Sequence, residues 1–368
     1  MLVLVKIFNG LMQAVYAIFK IFPARRKVIF LSRQVNEVSL DYLYLAEELR
    51  RRDPDIEIVT LCMRIEKNPA SMIRFGWMLM RSLYHLATSK VCILDTYWPA
   101  VSLLSHKKSL TVIQLWHAMG KIKQSGHITL DREGGRGKKF ATVLKMHENY
   151  DVIVAGAEAW NPFYCQSFNV GPEVLLNVGL PRIDYLFHKK DEIASRIHES
   201  YPQLGDKPVI LYAPTFRRTG NEGWERLLEA IDLNRYNLVI KSHPNQPLHY
   251  DSAAIFELPE FTAVDALTVA DYLITDYSAI AVEAAVISVK TYYYLYDYNV
   301  YTKKNGLNID LFKEMPGCVF TDALELIRNL ELGNYNQEAL HRYRRKFLPK
   351  ELGRSTELIA DRVMEGLK

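Results

Sequence analysis

Short apolar runs alternate with longer amphipathic stretches along most of the chain. Residues 28–31 form the first apolar run, and in the stretch 40–52 apolar residues recur every three to four positions. The first pattern is typical of a buried strand and the second of a helix with one apolar face. Further strand-like runs occur at 56–61, 91–94, 110–115, 152–154, 208–212, 238–241, 272–274 and 289–294, and further helical stretches at 222–232, 337–347 and 356–367. Strands that alternate with helices predict parallel sheets covered on both faces.

The alternation occurs in both halves of the chain and predicts an α/β protein with two Rossmann-like domains facing across a cleft. A length of 368 residues fits about two domains. We expect an N-terminal segment at 1–27, a first Rossmann-like domain at 28–204 and a second at 205–368. The C-terminal helices either complete the second domain or bridge back to the first.

The N-terminal segment is mostly apolar, carries Lys6 and Lys20, and ends in three basic residues at 25–27. It lacks a signal-peptide cleavage pattern, and its polar residues dilute it too much for a confident spanning helix. An amphipathic helix in the surface of an anionic membrane fits better, with Phe8 and Met12 among the residues that face the bilayer. The alternative is a helix packed on the protein's own core. The stretch 72–84 is a second candidate for membrane contact.

The composition is that of an ordinary soluble protein, with 49% apolar and 24% charged residues. A net charge of +4 is too small to indicate nucleic-acid binding by itself. The four cysteines show neither a CxxC motif nor metal-ligand spacing, so we expect free thiols in a reducing compartment. We expect no metal site and no cofactor.

The stretch 270–285 combines a short strand, a polar turn and a helix. Such a turn places free backbone N–H groups and the positive end of a helix dipole at a strand end, which suits an anion. We expect Asp276 to cap the helix and Ser278 to add a hydroxyl in its first turn. Glu283, further along the helix, lies near enough to reach a ribose. The alternative is an ordinary capped helix.

Polar residues that could bind a ligand or take part in catalysis follow several other predicted strands. In open parallel sheets, ligands bind beyond the carboxyl ends of the strands. The residues in such positions are Trp116, His117, Gly120, Arg182, Thr215, Arg217, Ser242 and His243. Each has an ordinary alternative role, for example a core histidine or an Arg182–Asp184 ion pair, but together they indicate a site. The glycine-rich stretch 126–139 is expected to be a loop beside that site.

Several motifs in this order resemble the CDP-glycerol glycerophosphotransferase family of wall teichoic acid synthesis. The resemblance covers roughly residue 88 to the C-terminus. The motifs are Leu115-Trp-His-Ala-Met-Gly120, Gly179-Leu-Pro-Arg-Ile-Asp184, Tyr212-Ala-Pro-Thr-Phe-Arg217, Ser242-His-Pro244, Asp271-Tyr-Leu-Ile-Thr-Asp-Tyr-Ser278, Tyr296-Asp-Tyr-Asn-Val-Tyr301, Glu314-Met-Pro-Gly317 and Gly353-Arg-Ser-Thr356.

The resemblance implies a GT-B fold, a peripheral position on the cytoplasmic face of the plasma membrane, and CDP-glycerol as donor. The acceptor would be carried on a polyprenyl diphosphate, and CMP would leave. It implies His117 and His243 as catalytic residues, with His117 as the base. Donor-binding residues would be Thr215, Arg217, Ser242, Asp276, Ser278, Glu283 and Arg354, and acceptor-side residues Trp116, Gly120 and Arg182. Glu283 stands where the family often has Asp, and Ala118-Met119 replaces a frequent Gly-Thr.

Three alternatives stay open at this point. The donor is CDP-ribitol rather than CDP-glycerol, the enzyme is a GT-B glycosyltransferase that uses a nucleotide sugar, or the chain is a non-catalytic membrane-associated binding protein. The pairing of Trp116-His117 with Ser242-His-Pro244 argues against a glycosyltransferase. Within the family, the sequence does not separate a primase from a polymerase, although the compact length slightly favours few additions.

Overall fold

Two parallel six-stranded sheets organise the part of the chain that the structure describes, one in each of two units. The structure is a computed structural model and describes residues 2–34, 36–66, 68–133, 135–215, 217, 222–242, 248 and 252–368. Unit 1 comprises Met1–Ala118, Ser125–Arg182 and Arg354–Lys368, and unit 2 comprises Met119–Gln124 and Ile183–Gly353. The domain ranges 28–204 and 205–368 stay predictions beside this grouping.

The elements alternate between strand and helix along most of the chain. The strands are β1 (Arg25–Ser32), β2 (Glu57–Cys62), β3 (Ser89–Leu94), β4 (Thr111–Gln114), β5 (Val152–Ala155), β6 (Leu175–Asn177), β7 (Val209–Tyr212), β8 (Asn237–Ile240), β9 (Ile255–Phe256), β10 (Tyr272–Thr275), β11 (Lys290–Tyr294) and β12 (Val319–Phe320). The helices are α1 (Leu2–Phe19), α2 (Leu40–Arg52), α3 (Pro69–Thr88), α4 (Pro99–Leu103), α5 (Lys138–Val143), α6 (Asn161–Phe168), α7 (Pro181–Ser200), α8 (Glu222–Ala230), α9 (Ala263–Ala266), α10 (Ile280–Val286), α11 (Tyr298–Asn305), α12 (Leu311–Glu314), α13 (Ala323–Glu331), α14 (Gln337–Phe347) and α15 (Ser355–Gly366).

In unit 1 the strand order is β2-β1-β3-β4-β5-β6, and the paired strands run parallel. Four consecutive residues of β1, at 28–31, are buried, because helices cover both faces of a parallel sheet. The C-terminal helix α15 contributes to the core of this unit through Ile359, Ala360, Val363 and Leu367. The order reverses direction between β1 and β3, so the sheet has a topological switch point there.

In unit 2 the strand order is β12-β11-β10-β7-β8-β9, again with parallel pairs. Counted from β7, this is the order 3-2-1-4-5-6 of dinucleotide-binding sheets. The switch point lies between β7 and β10. Residues that follow these two strands therefore stand where such sheets bind ligands.

The predicted strand positions agree with the observed ones, and α14 has its predicted bounds. β6, β9 and β12 lie outside the predicted strand-like runs, because strands of two or three residues are too short to show a pattern. The four cysteines are free, as expected, with Cys92 and Cys318 buried. The expectation that Met12 faces a membrane was wrong, since Met12 is 2% exposed.

Helix α1 packs one face against the rest of unit 1 and leaves the other face exposed. Met12 and Tyr16 are buried, while Ile7, Leu11 and Ile18 are exposed. The exposed residues follow helical spacing, so they form one apolar stripe. Within the described residues, no helix has the length and apolar character needed to cross a membrane.

Candidate active site

The switch point of unit 2 carries a hydrogen-bonded cluster built by the loops after β7 and β10. The Asp276 carboxylate accepts hydrogen bonds from the backbone N–H of Thr215 at 2.8 Å and from its hydroxyl at 2.6 Å. Asp276 is 3% exposed. Because both groups are fixed by backbone and side-chain contacts, the two loops are held together where a ligand would bind.

Arg217 stands at the centre of this cluster. Its guanidinium pairs with Asp276 at 2.9 Å and with Asp297 at 2.7 Å. It also lies over the rings of Tyr277, at 5.3 Å, and Tyr301, at 4.9 Å. Burial acts to lower the pKa of Arg217, but the two carboxylates raise it above its usual value. Its charge is thus matched within the cluster, and its observed contacts are those of a residue that positions both loops.

The expectation that Asp276 caps the following helix was wrong. Helix α10 begins after Ala279, which makes no side-chain capping bond. Asp276 is engaged with Thr215 and Arg217 instead, because those donors lie within hydrogen-bond distance of its carboxylate. The Ser278 hydroxyl accepts a hydrogen bond from the N–H of Ile280 at 3.4 Å. Predicting a cap from the sequence overlooked a stronger tertiary partner.

Two lysines that the sequence reasoning missed belong to unit 2. They lie in the segment Met119–Gln124, which follows the Trp116-His117 motif directly. Lys123 donates from Nζ to the Thr215 hydroxyl at 3.5 Å, and burial lowers the pKa of Lys123. Burial lowers the pKa of Lys121 to about 7. Their position beside a recognised motif was the available signal.

In unit 1, Trp116 and His117 follow β4. Trp116 has φ +62°, a conformation that bulky residues rarely adopt and that often marks functional sites. Its N–H donates to the Gln114 side chain at 2.9 Å. His117 Nδ1 lies 3.1 Å from the carbonyl oxygen of Asp95. Since a carbonyl only accepts, Nδ1 carries the proton, and the lone pair of the neutral ring is on Nε2.

The other predicted acceptor-side residues have structural contacts. Arg182 forms a bidentate ion pair with Asp41, with its Nε 2.9 Å from the carboxylate. The alternative pairing of Arg182 with Asp184 stays a prediction beside this observed contact. Gly120 is buried in the segment Met119–Gln124 of unit 2.

The remaining predicted donor residues are not all brought together. Arg354 belongs to unit 1, where it pairs with Glu357 at 2.9 Å. Glu283 is 3% exposed on α10. Ser242 is half-buried just beyond β8, and His243 lies outside the described residues. The donor roles of all four residues stay predictions.

The described geometry provides an exposed histidine with its lone pair on Nε2 in unit 1. In unit 2 it provides an ordered cluster of hydroxyl, carboxylate and cationic groups at a nucleotide-type switch point. Among the described residues, no group of three or more histidine, cysteine, aspartate or glutamate side chains could hold a metal ion. The histidine suits proton abstraction, and the cluster suits a polar ligand such as a nucleotide.

Comparison with known proteins places this geometry in a family. A family model described as CDP-Glycerol:Poly(glycerophosphate) glycerophosphotransferase matches residues 14–365. A teichoic acid ribitol-phosphate primase of Bacillus spizizenii is 27% identical over 375 residues, which cover 97% of this chain and 96% of that protein. A teichoic acid glycerol-phosphate primase of Bacillus subtilis is 28% identical over 325 residues, which cover 84% of this chain and 81% of that protein.

Solved structures show the same fold. The wall teichoic acid polymerase TagF matches with a TM-score of 0.77 at 17% identity, covering 97% of this chain and 93% of that chain. A UDP-GlcNAc 2-epimerase from Neisseria meningitidis matches with a TM-score of 0.59 at 12% identity, covering 92% and 100%. One TagF variant was soaked with CDPG. The family indicated by the sequence motifs is confirmed: the chain belongs to the CDP-glycerol:poly(glycerophosphate) glycerophosphotransferases, the family of the teichoic acid primases and polymerases.

Proposed function

We propose that this enzyme transfers glycerol phosphate from CDP-glycerol to a hydroxyl of a polyprenyl-diphosphate-linked acceptor and releases CMP. The acceptor hydroxyl loses its proton and attacks the β-phosphorus of the donor. The bond between that phosphorus and the oxygen bridging to CMP breaks, and CMP carries that oxygen away. Such phosphoryl transfer depends chiefly on positioning and on stabilising spreading negative charge.

The observation that carries the proposal is the hydrogen bond from His117 to the Asp95 carbonyl. It fixes the ring and the tautomer, so Nε2 is the atom that receives the proton of the acceptor hydroxyl. The imidazole is exposed, which a base acting on a bound substrate requires. Imidazole is suited to this role in general, because the pKa of the free side chain lies near working pH.

For the donor, we assign the diphosphate to the switch point of unit 2. The Thr215–Asp276–Arg217 cluster sets the shape of this site, and Lys123 adds a positive charge beside Thr215. Ser278 and His243 complete it. We further propose that these cationic side chains supply the required charge without a metal or another cofactor.

The proposal includes the location and the arrangement of the two units. It requires that the acceptor held by unit 1 and the donor held by unit 2 meet during turnover, as in a GT-B enzyme. It also places the protein peripherally on the cytoplasmic face of the plasma membrane. The exposed apolar stripe of α1 supports this location, because such faces bind bilayer surfaces.

The experiment is an assay of CMP release from CDP-glycerol with a lipid-linked acceptor analogue, with and without EDTA. We expect turnover in both conditions. His117→Ala should lower kcat about a hundred- to ten-thousand-fold, the usual contribution of a general base, while donor binding is largely retained. His198→Ala is the matched control, because His198 is likewise an exposed histidine and lies on α7, outside the proposed machinery.

Near-normal turnover by His117→Ala would exclude it as the base. Loss of turnover in EDTA, restored by a divalent cation, would show that a metal is needed. Reaction of UDP-sugars in place of CDP-alditols would favour the nucleotide-sugar alternative. Each result contradicts a different part of the proposal.

CDP-ribitol is the second candidate donor. One relative that aligns over 97% of this chain is a ribitol-phosphate primase. The same assay with CDP-ribitol, followed by mass spectrometry of the product, distinguishes the two alditols by the added mass. Product length in that spectrum also separates a single addition from polymerisation.

A further inference from the structure

A cavity of about 270 Å³ lies at the switch point of the unit 1 sheet. Arg33 follows β1, and Thr96 and Tyr97 follow β3, the two strands between which the order reverses. Trp116, the neighbour of His117, also lines it. Ligands of open α/β sheets bind at this topological position. None of the roles assigned above to Trp116 or His117 accounts for the other groups in the cavity.

Two arginines line the cavity without an ion-pair partner among the described residues. Arg33 and Arg136 both line it, and their guanidinium carbons lie 5.5 Å and 5.6 Å from the ring centre of Tyr97. Among the described residues, no carboxylate lies within ion-pair distance of either one. Burial lowers the pKa of Arg33, and the neighbouring charge of Arg136 lowers it further. An anion in the cavity would relieve both effects.

Arg33 and Thr96 also carry hydrogen-bonding atoms that the described residues leave without a partner. The Nε of Arg33 and the hydroxyl of Thr96 are both buried. Leaving such groups unpaired costs free energy, so a ligand that pairs with them gains affinity. Arg217 in unit 2 shows the contrast, since two carboxylates match its charge.

The described residues of the loop 126–139 line one side of the cavity, and two of its glycines pack closely against backbone. A Cβ on Gly126 would lie 2.1 Å from the Ser167 carbonyl oxygen, and a Cβ on Gly135 would lie 1.8 Å from that of Thr129. Only glycine permits such close packing of backbone. Arg136 follows Gly135 directly, so the packed turn fixes its position. Described residues of the predicted loop thus form part of the cavity lining.

The size and walls of the cavity restrict its ligand. Its volume equals that of about nine molecules in liquid water. This is enough space for a phosphate with a short polyol. It is smaller than the roughly 300–1,000 Å³ that drug-sized ligands occupy. Trp116 and His147 add aromatic walls, with ring centres 6.0 Å apart. A phosphate bound to arginines, with a carbon chain against aromatic rings, fits this lining.

We propose that this cavity binds the phosphodiester of a terminal alditol phosphate unit already present on the acceptor. This proposal rests on the proposed function and extends it by naming a part of the acceptor. Trp116 separates the cavity from His117, with its ring centre 4.2 Å from the imidazole. A phosphate in the cavity therefore leaves the alditol of the same unit to present its hydroxyl toward His117. The enzyme thus prefers acceptors that carry at least one alditol phosphate.

The test compares two acceptor analogues that differ by one terminal glycerol phosphate unit. Arg33→Gln and Arg136→Gln should raise the KM for the longer acceptor about ten- to hundred-fold, the effect of losing a charge-assisted hydrogen bond. The KM for the shorter acceptor and for the CDP-alditol should stay unchanged, because the donor cluster belongs to unit 2. Arg132→Gln is the matched control, since Arg132 is exposed in the same loop and does not line the cavity.

Binding is measured separately by calorimetry on the full chain with sn-glycerol 3-phosphate, inorganic phosphate and glycerol. We expect sn-glycerol 3-phosphate to bind most tightly, and Arg33→Gln to abolish this binding without lowering the melting temperature. Equal binding of inorganic phosphate would reduce the cavity to a general anion site and overturn the assignment. Equal loss with both acceptors, or a lower melting temperature, would indicate a structural role and overturn it as well.

The outcomes separate this inference from the proposed function. If the wild-type chain releases CMP from neither CDP-alditol, the proposed function fails, while calorimetry still tests the cavity. If the wild-type chain is active and Arg33→Gln keeps its KM for the longer acceptor, only the inference about the cavity fails.

Discussion

At the scale of single residues, Asp95 combines a structural and a functional position. Its backbone carbonyl fixes the His117 ring, while its side chain accepts a hydrogen bond from Ser32 at 2.8 Å. Burial raises the pKa of the Asp95 carboxyl to about 6, against the opposing effect of its hydrogen bond with Ser32. A neighbouring Asp41 raises the pKa further, and Arg182 acts against that increase.

This shift predicts a pH-dependent stability. A carboxyl with a raised folded-state pKa favours folding while it is protonated, and this contribution is lost as pH rises through about 6. At pH 8, Asp95→Asn should therefore be more stable to urea than the wild type. The expected gain in the free energy of unfolding is at most about 3 kcal/mol. The difference should disappear near pH 4. The exposed Asp206→Asn is the control; a constant difference across pH would contradict the prediction.

At the scale of elements, α1 and α3 present neighbouring apolar surfaces. The exposed fractions are 62% for Leu11 in α1, and 75% for Ile73 and 71% for Trp77 in α3. Basic residues at Arg74 and Arg81 accompany them on α3. Both elements belong to unit 1, and edge-to-face contacts such as Phe19 with Tyr84 link them. Apolar side chains with flanking cations suit an anionic bilayer surface.

Membrane binding is tested by co-sedimentation with vesicles of phosphatidylcholine and phosphatidylglycerol. Leu11→Glu and Trp77→Glu should each lower the affinity for the vesicles about tenfold, since each substitution removes one apolar side chain from the bilayer. Leu324→Glu is the matched control, because Leu324 is 71% exposed on α13 in unit 2. Equal sedimentation of all variants would exclude this surface. Dimerisation without sedimentation would assign it to a second copy of the chain.

At the scale of the whole molecule, the chain passes between the units more than once. Unit 2 takes the segment Met119–Gln124 from the middle of unit 1, and unit 1 takes back Arg354–Lys368 at the end. In the first exchange, Asn308 of unit 2 donates from its side chain to the Lys121 carbonyl at 2.7 Å. In the second, Ile359 and Val363 of α15 are fully buried in the core of unit 1.

The second exchange predicts that the N-terminal half does not fold alone. A fragment of residues 1–204 lacks Ile359, Ala360, Val363 and Leu367, which would cost about 1.5–3 kcal/mol for each large side chain. That sum approaches the whole stability of a typical domain. We expect poor near-ultraviolet dichroism for this fragment. Residues 1–182 joined by a flexible linker to 354–368 should fold better; equal folding of the two would contradict the prediction.

The sequence predicted the sheets better than the contacts at their edges. Buried strands of four or more residues show a clear apolar pattern, and His117, Thr215 and Asp276 lie beyond the ends of β4, β7 and β10, as predicted. Arg33 also follows a predicted strand, but no local pattern pairs it with Arg136, which lies in a polar loop. Their convergence depends on strand order and on a packed loop, and neither can be read from local patterns.

In both sheets, a carboxylate at the switch point links the ends of two neighbouring strands. Asp95 follows the strand next to β1 and holds Ser32, just as Asp276 follows the strand next to β7 and holds Thr215. Each carboxylate therefore sets the distance between two strand ends at the position where open α/β sheets bind ligands. A substitution that breaks the Asp95–Ser32 link would widen the switch point of unit 1 and leave that of unit 2 unchanged, and the reverse holds for the Asp276–Thr215 link. The ligand preferences of the two switch points can therefore change independently.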